Sequence, residues 1–209
     1  MNITKGNNLS LSKAAPGLDA IMAAAGWEKR QQQGYGVHTD FDLDLMGIPL
    51  DPYGNRMPDN TVVFFNNKMA FPMANGRFAL MASVDDRDGS GKPGDDDEAI
   101  GAQLNELLRQ GVTQVVFSVS IYDAHNRQQN FGMIKDAFVR LVDMRSPNSP
   151  AEITKFDLDA FAANSTIVTF GVLRWTGTEW KFFAVGEGYN VDLGTYLGAA
   201  GEPFRFLGM

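Results

Sequence analysis

Short apolar runs rich in Val, Ile, Phe and Thr alternate along this chain with punctuation by Gly, Pro, Asn and Asp. "TVVFFNN" (61–67), "RFALMASV" (77–84), "QVVFSVSIY" (114–122), "FVRLVDM" (138–144), "TIVTFGVLRW" (166–175) and "WKFFAVGEG" (180–188) are predicted strands. The last two flank "TGTE" (176–179), whose glycine suits a hairpin turn. Strands in such close succession favour packed sheets over alternating βαβ units. The predicted class is therefore predominantly all-β, a β-sandwich of two mixed or antiparallel sheets with one or two short helices.

The clearest helical spacing lies in "DDDEAIGAQLNELLRQG" (95–111), through Ile100, Leu104, Leu107 and Leu108. Asp95 or Asp96 would cap its start, and Gly111 suits the position after its end. A second short helix is predicted over 128–136. "SPNSP" (146–150) is a loop too short to divide the chain, so residues 1–209 are expected to form a single domain. "FDLD" recurs at 41–44 and 156–159, too brief a match to establish a repeat.

Composition narrows the chemistry. With 209 residues and 44% hydrophobic content, the chain can build a substantial core. It has no apolar run of about 18 residues that could span a bilayer, and "MNITKGNNLS" lacks the pattern of a secretory signal. A soluble, cytoplasmic protein is expected. There is no cysteine, and the two histidines are His38 and His125, which argues against thiol chemistry, disulfides and a structural zinc site. The net charge of -7 and the lack of a basic stripe argue against nucleic acid. Oxygen ligands remain.

They are concentrated in "DDRDGSGKPGDDDEAI" (85–100). Counted from Asp86, oxygen-bearing side chains fall at Asp88 and Ser90, glycine follows at Gly91, and Asp97 stands where an EF-hand-like loop would close. The match is partial, because Glu98 lies one residue late and the preceding segment reads as a strand. Part of the stretch has a simpler account. A helix N-terminus stabilises acids such as Asp95, Asp96, Asp97 and Glu98 by roughly 0.3–1 kcal/mol. That account leaves Asp85, Asp86 and Asp88 unexplained. A second cluster, "HTDFDLDL" (38–45), sets Asp40, Asp42 and Asp44 at strand spacing, with Phe41, Leu43 and Leu45 on the opposite face. An edge strand can carry charge against aggregation, but aspartate is a poor strand former. A cation shared by the two clusters explains both, and calcium takes six to eight hard oxygen ligands.

Taken in order, "NLSLSKAAPGL", "GW", "DFDLD", "VFFNN", the acidic "DDRDGSGKPGDDDE", "RQQNFG" with "AFVRLVD", and "EWKFFAVGEGY" resemble the successive motifs of the TerD family. This is a bacterial tellurium-resistance and general stress group, and the resemblance covers nearly residues 6 to 198. It implies a calcium-binding β-sandwich with metal sites at one end and no defined enzymatic role. It makes "GLDAIMAAAGWEK" (17–29) a strand despite its helical propensity. Carried across, it implies a ligand set of Asp40, Asp42, Asp44, Asn66, Asp85, Asp86, Gly89, Gly91, Gly94, Asp95, Asp96, Asp97 and Glu98, to which the loop pattern adds Asp88. The loop departs from the family pattern by extra residues near Pro93 and within 95–97, and by Lys92. On this reading Ca²⁺ orders the acidic end for docking of other proteins of a stress or tellurium-resistance system, with no direct contact to nucleic acid and no integral membrane segment. The alternative is a metal-dependent hydrolase or phosphate-handling enzyme built on the same acids. A triad through His125 and Asp123 lacks the usual serine elbow. Trp27, Trp175 and Trp180 are expected in the core, and His38 on the surface.

Overall fold

The structure, a computed structural model, describes residues 3–28, 40–89, 95–134, 136–146, 150–158 and 163–198. In chain order its elements are β1 (Asn8–Ser10), α1 (Leu11–Ala14), β2 (Ala20–Gly26), β3 (Leu43–Leu50), β4 (Met69–Pro72), β5 (Phe78–Ala82), β6 (Glu98–Gln103), α2 (Leu104–Arg109), β7 (Gln114–Ile121), α3 (Ala124–Arg127), β8 (Phe138–Asp143), β9 (Ala151–Asp157), β10 (Ile167–Trp175), β11 (Trp180–Tyr189) and α4 (Leu193–Gly198). The strands form a five-stranded sheet, β1-β11-β10-β7-β3, and a six-stranded sheet, β4-β5-β6-β2-β8-β9. Every pairing is antiparallel. This is the expected sandwich, with few and short helices.

Side-chain alternation makes the core. Leu43 and Leu45 of β3 and Val115, Phe117 and Val119 of β7 meet Ile21 and Ala23 of β2 and Ile100 and Ala102 of β6 in one buried cluster between the sheets. The sheets approach closely at Gly47, where a Cβ would stand 3.5 Å from the Ile100 side chain and 3.6 Å from Leu80. A second buried cluster, including Met46, Ile48, Val116 and Val172, lies on the opposite side of the five-stranded sheet under Val62 and Tyr196 of α4. The Tyr196 hydroxyl is hydrogen-bonded with Ser118 Oγ at 2.7 Å and Thr169 Oγ1 at 2.6 Å. With both faces covered, β3 and β7 are buried throughout, which is why "QVVFSVSI" reads as a nearly unbroken apolar run.

β2 confirms the strand expected at 17–29. Its alanines Ala23, Ala24 and Ala25 are fully buried, and β6 and β8 pair with it on either side. Sheet hydrogen bonding at a site with room only for small residues overrides their helical propensity. The TGTE hairpin is also present, with Trp175 opposite Trp180 and Gly177 at φ +95°.

Three local expectations are corrected. The helix predicted over 95–111 begins only at Leu104, while residues 98–103 form β6. Glu98, Ile100 and Ala102 are buried at period two, so Ile100 belongs to a strand and Leu104 and Leu107 to the helix that follows. Asp95 and Asp96 therefore cap no helix, although Gly111 does follow one at φ +82°. The strand predicted over 61–67 is reduced to isolated bridges. Val63 pairs with Gly47 on the free edge of β3, and reciprocal backbone bonds between Phe64 and Asn67 then close a tight turn. The helix predicted over 128–136 is replaced by α3 and a 3-10 turn at Phe131–Met133, because Gln128 takes a left-handed φ of +53° between them.

Candidate metal centre

Strand alternation sends Asp42 and Asp44 to the side of the five-stranded sheet opposite Phe41, Leu43 and Leu45, as the spacing predicts. Both are buried, Asp42 at 9% and Asp44 at 3% exposure. β3 is an edge strand, but burial on this scale rules out charge display to solvent as the purpose of these acids. Glu98 reaches them from the other sheet. It is the first residue of β6, is 6% exposed, and its Oε2 accepts the Leu45 N–H at 2.6 Å on the free edge of β3. The third contributor is Asp85, on the segment that leaves β5. Carboxylate oxygens of Asp44, Asp85 and Glu98 all lie within 4.8 Å of one another.

Burial dominates the electrostatics of this group. Loss of solvent pushes Asp44 up to about 8, with Glu98 and Asp42 adding like-charge repulsion. Glu98 is likewise pushed up to about 8 by burial, against the opposing bond from Leu45, with Asp85 raising it further. Asp42 is raised to about 6 by burial, moderated by Arg127, whose Nη1 lies 3.9 Å from Asp42 Oδ2. Asp44 Oδ2 is buried with no hydrogen-bond partner. A cavity of about 330 Å³ opens over the group, lined by Asp40, Asp42, Asp44, Asp85 and Asp88 together with Phe65, Tyr122, Arg87 and Arg127.

The other acids of the two stretches have separate duties. Asp86 Oδ1 accepts the N–H groups of Asp88 and Gly89, each at 3.0 Å, and folds its own loop. Asp97 Oδ2 accepts the Trp27 N–H at 2.8 Å, and burial raises this carboxyl despite that bond. Asp96 is held away from the group by Arg140 of β8, which donates from Nε at 2.7 Å and Nη2 at 2.8 Å. Asp95 is exposed. Asn66 is exposed as well and does not line the cavity; the amide of its neighbour Asn67 donates to Asn60 and Val62 carbonyls and closes the turn. Gly91 and Gly94, with Ser90, Lys92, Pro93 and His38, lie outside the described residues.

Trp27 ties the acidic segments together in a way the sequence reading missed. Its backbone binds Asp97, its indole N–H donates to the Phe41 carbonyl at 3.2 Å, and its ring lies against Gly89. A Cβ at Gly89 would stand 2.5 Å from the indole nitrogen, and the residue has φ +60°. Only glycine fits there without strain. The indole N–H of a buried tryptophan usually finds an acceptor, which was the available signal. Arg127, at the end of α3, carried no comparable signal. Ser120 did: the alternating serines of "VFSVS" mark a polar row on one face of an otherwise apolar strand.

An antiparallel two-sheet sandwich with buried carboxylates from distant segments meeting at one end is the class of protein that this fold and site define. The TerD domain matches residues 1–198, and the chain belongs to the TerD family. It is 34% identical over 189 residues to the tellurium resistance protein TerD of Serratia marcescens, covering 90% of this chain and 91% of that protein. It is 31% identical to general stress protein 16U of Bacillus subtilis, covering 92% and 93%. Among solved structures, a homologue of telluride resistance protein (TerD) from Streptomyces coelicolor superposes with a TM-score of 0.66 at 18% identity, over 89% of this chain and 97% of that one, so the fold is shared. The family is one of tellurium-resistance and stress-response proteins. Among the described residues, no helix is long and apolar enough to cross a membrane.

Proposed function

We propose that this protein binds calcium through Asp44, Asp85 and Glu98, and that the bound ion organises the acidic end of the sandwich as a docking surface for partner proteins of a stress-response system. The observation that carries the reading is the convergence of three carboxylates, Asp44 from one acidic stretch and Asp85 and Glu98 from the other, within 4.8 Å of one another. Asp44 and Glu98 are buried and Asp85 is half-buried with Arg87 Nε 3.1 Å from its Oδ2, and acids so placed repel one another unless they are protonated or neutralised by a cation. The donors fit calcium, since they are hard carboxylate oxygens and Asp44 Oδ2 has no protein partner. Asp42 lies beside them and can supply a further oxygen. When bound, the ion supplies positive charge that relieves the repulsion and joins β3, β6 and the segment after β5. The family relationship supports the stress-response setting, as relatives carry tellurium-resistance and general stress names.

Ligand binding to the folded state alone stabilises it by RT ln(1 + [Ca²⁺]/Kd), about 2.7 kcal/mol at a hundredfold excess over Kd. For a domain of this size that corresponds to about 5–10 °C in Tm. Thermal unfolding in millimolar calcium and in chelator should show that rise, and Asp44→Asn should remove it. An unchanged Tm refutes calcium binding. Turnover of generic phosphoesters with magnesium or manganese, abolished by Asp42→Asn, would instead assign the same carboxylates to hydrolysis.

A further inference from the structure

Behind Asp44, a second cavity of about 350 Å³ opens on the outer side of the five-stranded sheet. Asp44 on β3 and Ser120 on β7 face each other in register and line it. Each is 3% exposed, and Asp44 Oδ2 and Ser120 Oγ are both buried without a hydrogen-bond partner. Two residues away on β7, the equivalent polar position Ser118 is satisfied by the hydroxyl of Tyr196. The chain therefore supplies a group for one half of this polar row and leaves the other half, on two residues that line a cavity, without one. A buried polar group without a partner is destabilising, and such groups in folded proteins normally have a partner from protein, water or ligand.

The remaining lining defines what would fit. Ile167, Val191 and Leu193 give apolar walls, and Asp123 and Asp192 stand exposed at the mouth. Both mouth carboxylates are oriented locally, Asp123 by Asn126 Nδ2 at 2.7 Å and Asp192 by the N–H and hydroxyl of Thr195, each at 2.7 Å. Among the described residues no lysine or arginine lines the cavity, and the imidazole of His125, which does, is hydrogen-bonded with Asn190 Oδ1 at 3.1 Å. Acceptors at the floor, methyl groups between and carboxylates at the mouth complement a molecule with a cationic donor at each end and an alkyl chain in the middle. An ammonium carries three donors and no acceptor, and its burial is favourable only opposite a charge. We propose that this cavity binds a small aliphatic diamine, with one ammonium on Asp44 and Ser120 and the other between Asp123 and Asp192. Asp44 lines both cavities, so calcium in the neighbouring centre competes with the amine for its carboxylate, and saturating calcium is expected to weaken the amine response.

The test is a ¹⁵N NMR titration of the full chain with putrescine and with its neutral isostere 1,4-butanediol, in chelator and again in saturating calcium. Putrescine in chelator should saturably shift the amides of Tyr122, Ile167 and Leu193, with the diol about tenfold weaker or worse, the factor that one charge-assisted hydrogen bond supplies. Leu193→Trp, which fills the cavity from α4, should abolish the response while leaving the calcium titration as in the wild type. Ser120→Val should weaken it several-fold and provides a second variant should the tryptophan disturb folding. Equal responses to amine and diol overturn the proposal, as does the absence of saturable shifts, which would mean that water alone fills the cavity. Shifts confined to residues 85–89 and 95–98 also overturn it, since the amine would then be a diffuse counter-ion of the acidic end. Calcium titrated without amine reads the metal centre alone, so failure of either reading is distinguishable from failure of the other.

Discussion

Calcium binding to this protein should release protons, and the number follows from the burial of Asp44 and Glu98. Both carboxyls are held up to about 8 in the cation-free fold, chiefly by loss of solvent. A group with that value is roughly nine-tenths protonated at pH 7. A calcium ligand must be a carboxylate, so binding at pH 7 should expel one to two protons from the Asp44–Glu98 pair, with about a tenth more from Asp42 at about 6. The apparent affinity should therefore rise up to about 100-fold from pH 6 to pH 7 and level off above about pH 9. Isothermal calorimetry in Pipes and in Tris, whose ionisation enthalpies differ widely, measures the proton count as the dependence of observed heat on buffer. Buffer-independent heat at pH 7 would show that the acids are already ionised before calcium arrives, and the burial argument would be wrong. The same shifts set the sign of the cation-free stability. Because these acids hold their protons more tightly folded than unfolded, their contribution is fully present below about pH 4 and is lost as pH rises through about 8. Carboxylates paired with cations behave in the opposite way.

Two further substitutions test the architecture around the site. Gly89→Ala places a methyl group 2.5 Å from the Trp27 indole at a left-handed φ of +60°, so it should cost about 1–3 kcal/mol in urea unfolding and weaken calcium binding; wild-type values for both would remove Trp27 from its role in holding the acidic segments. Tyr196→Phe leaves the buried hydroxyls of Ser118 and Thr169 without their shared partner. Because those two hydroxyls still bond each other at 3.1 Å, it should lower stability by about 0.5–1.5 kcal/mol with calcium stoichiometry intact, as read by chemical unfolding and calorimetry.

Most of the sheet content was legible because the strands are rich in β-branched and aromatic residues and end at turn formers, as in 167–175 and 180–189. The sidedness of Asp42 and Asp44 was legible for a simpler reason, since strand alternation is fixed whatever the partner strand. The error at 95–111 arose where a period-two segment passes into a period-3.6 segment without a break. Ile100 and Leu104 fit either pattern, and only the pairing of β6 with β2 and β5 decides between them. The duties of the acids were less visible. Nothing local to "DDDE" shows that Arg140, 44 residues away, takes Asp96, or that Trp27 takes Asp97, leaving Glu98 to join Asp44. The first two assignments are made by neighbouring strands of one sheet, β6, β2 and β8, and the last by β3 and β6 meeting across the sandwich.

Glu98 also guards the molecule against its own copies. β3 ends its sheet, and an uncovered terminal strand is a template on which another chain can add. Val63 takes the Gly47 N–H along that border, and the Glu98 carboxylate takes the Leu45 N–H. Truncating Glu98 to alanine would thus remove a ligand and unlock a seam for intermolecular β-addition in the same stroke, whereas glutamine would keep an oxygen over that N–H. On the proposed calcium role, Glu98→Ala should lose ion binding and solubility together, and Glu98→Gln should lose the first while keeping the second.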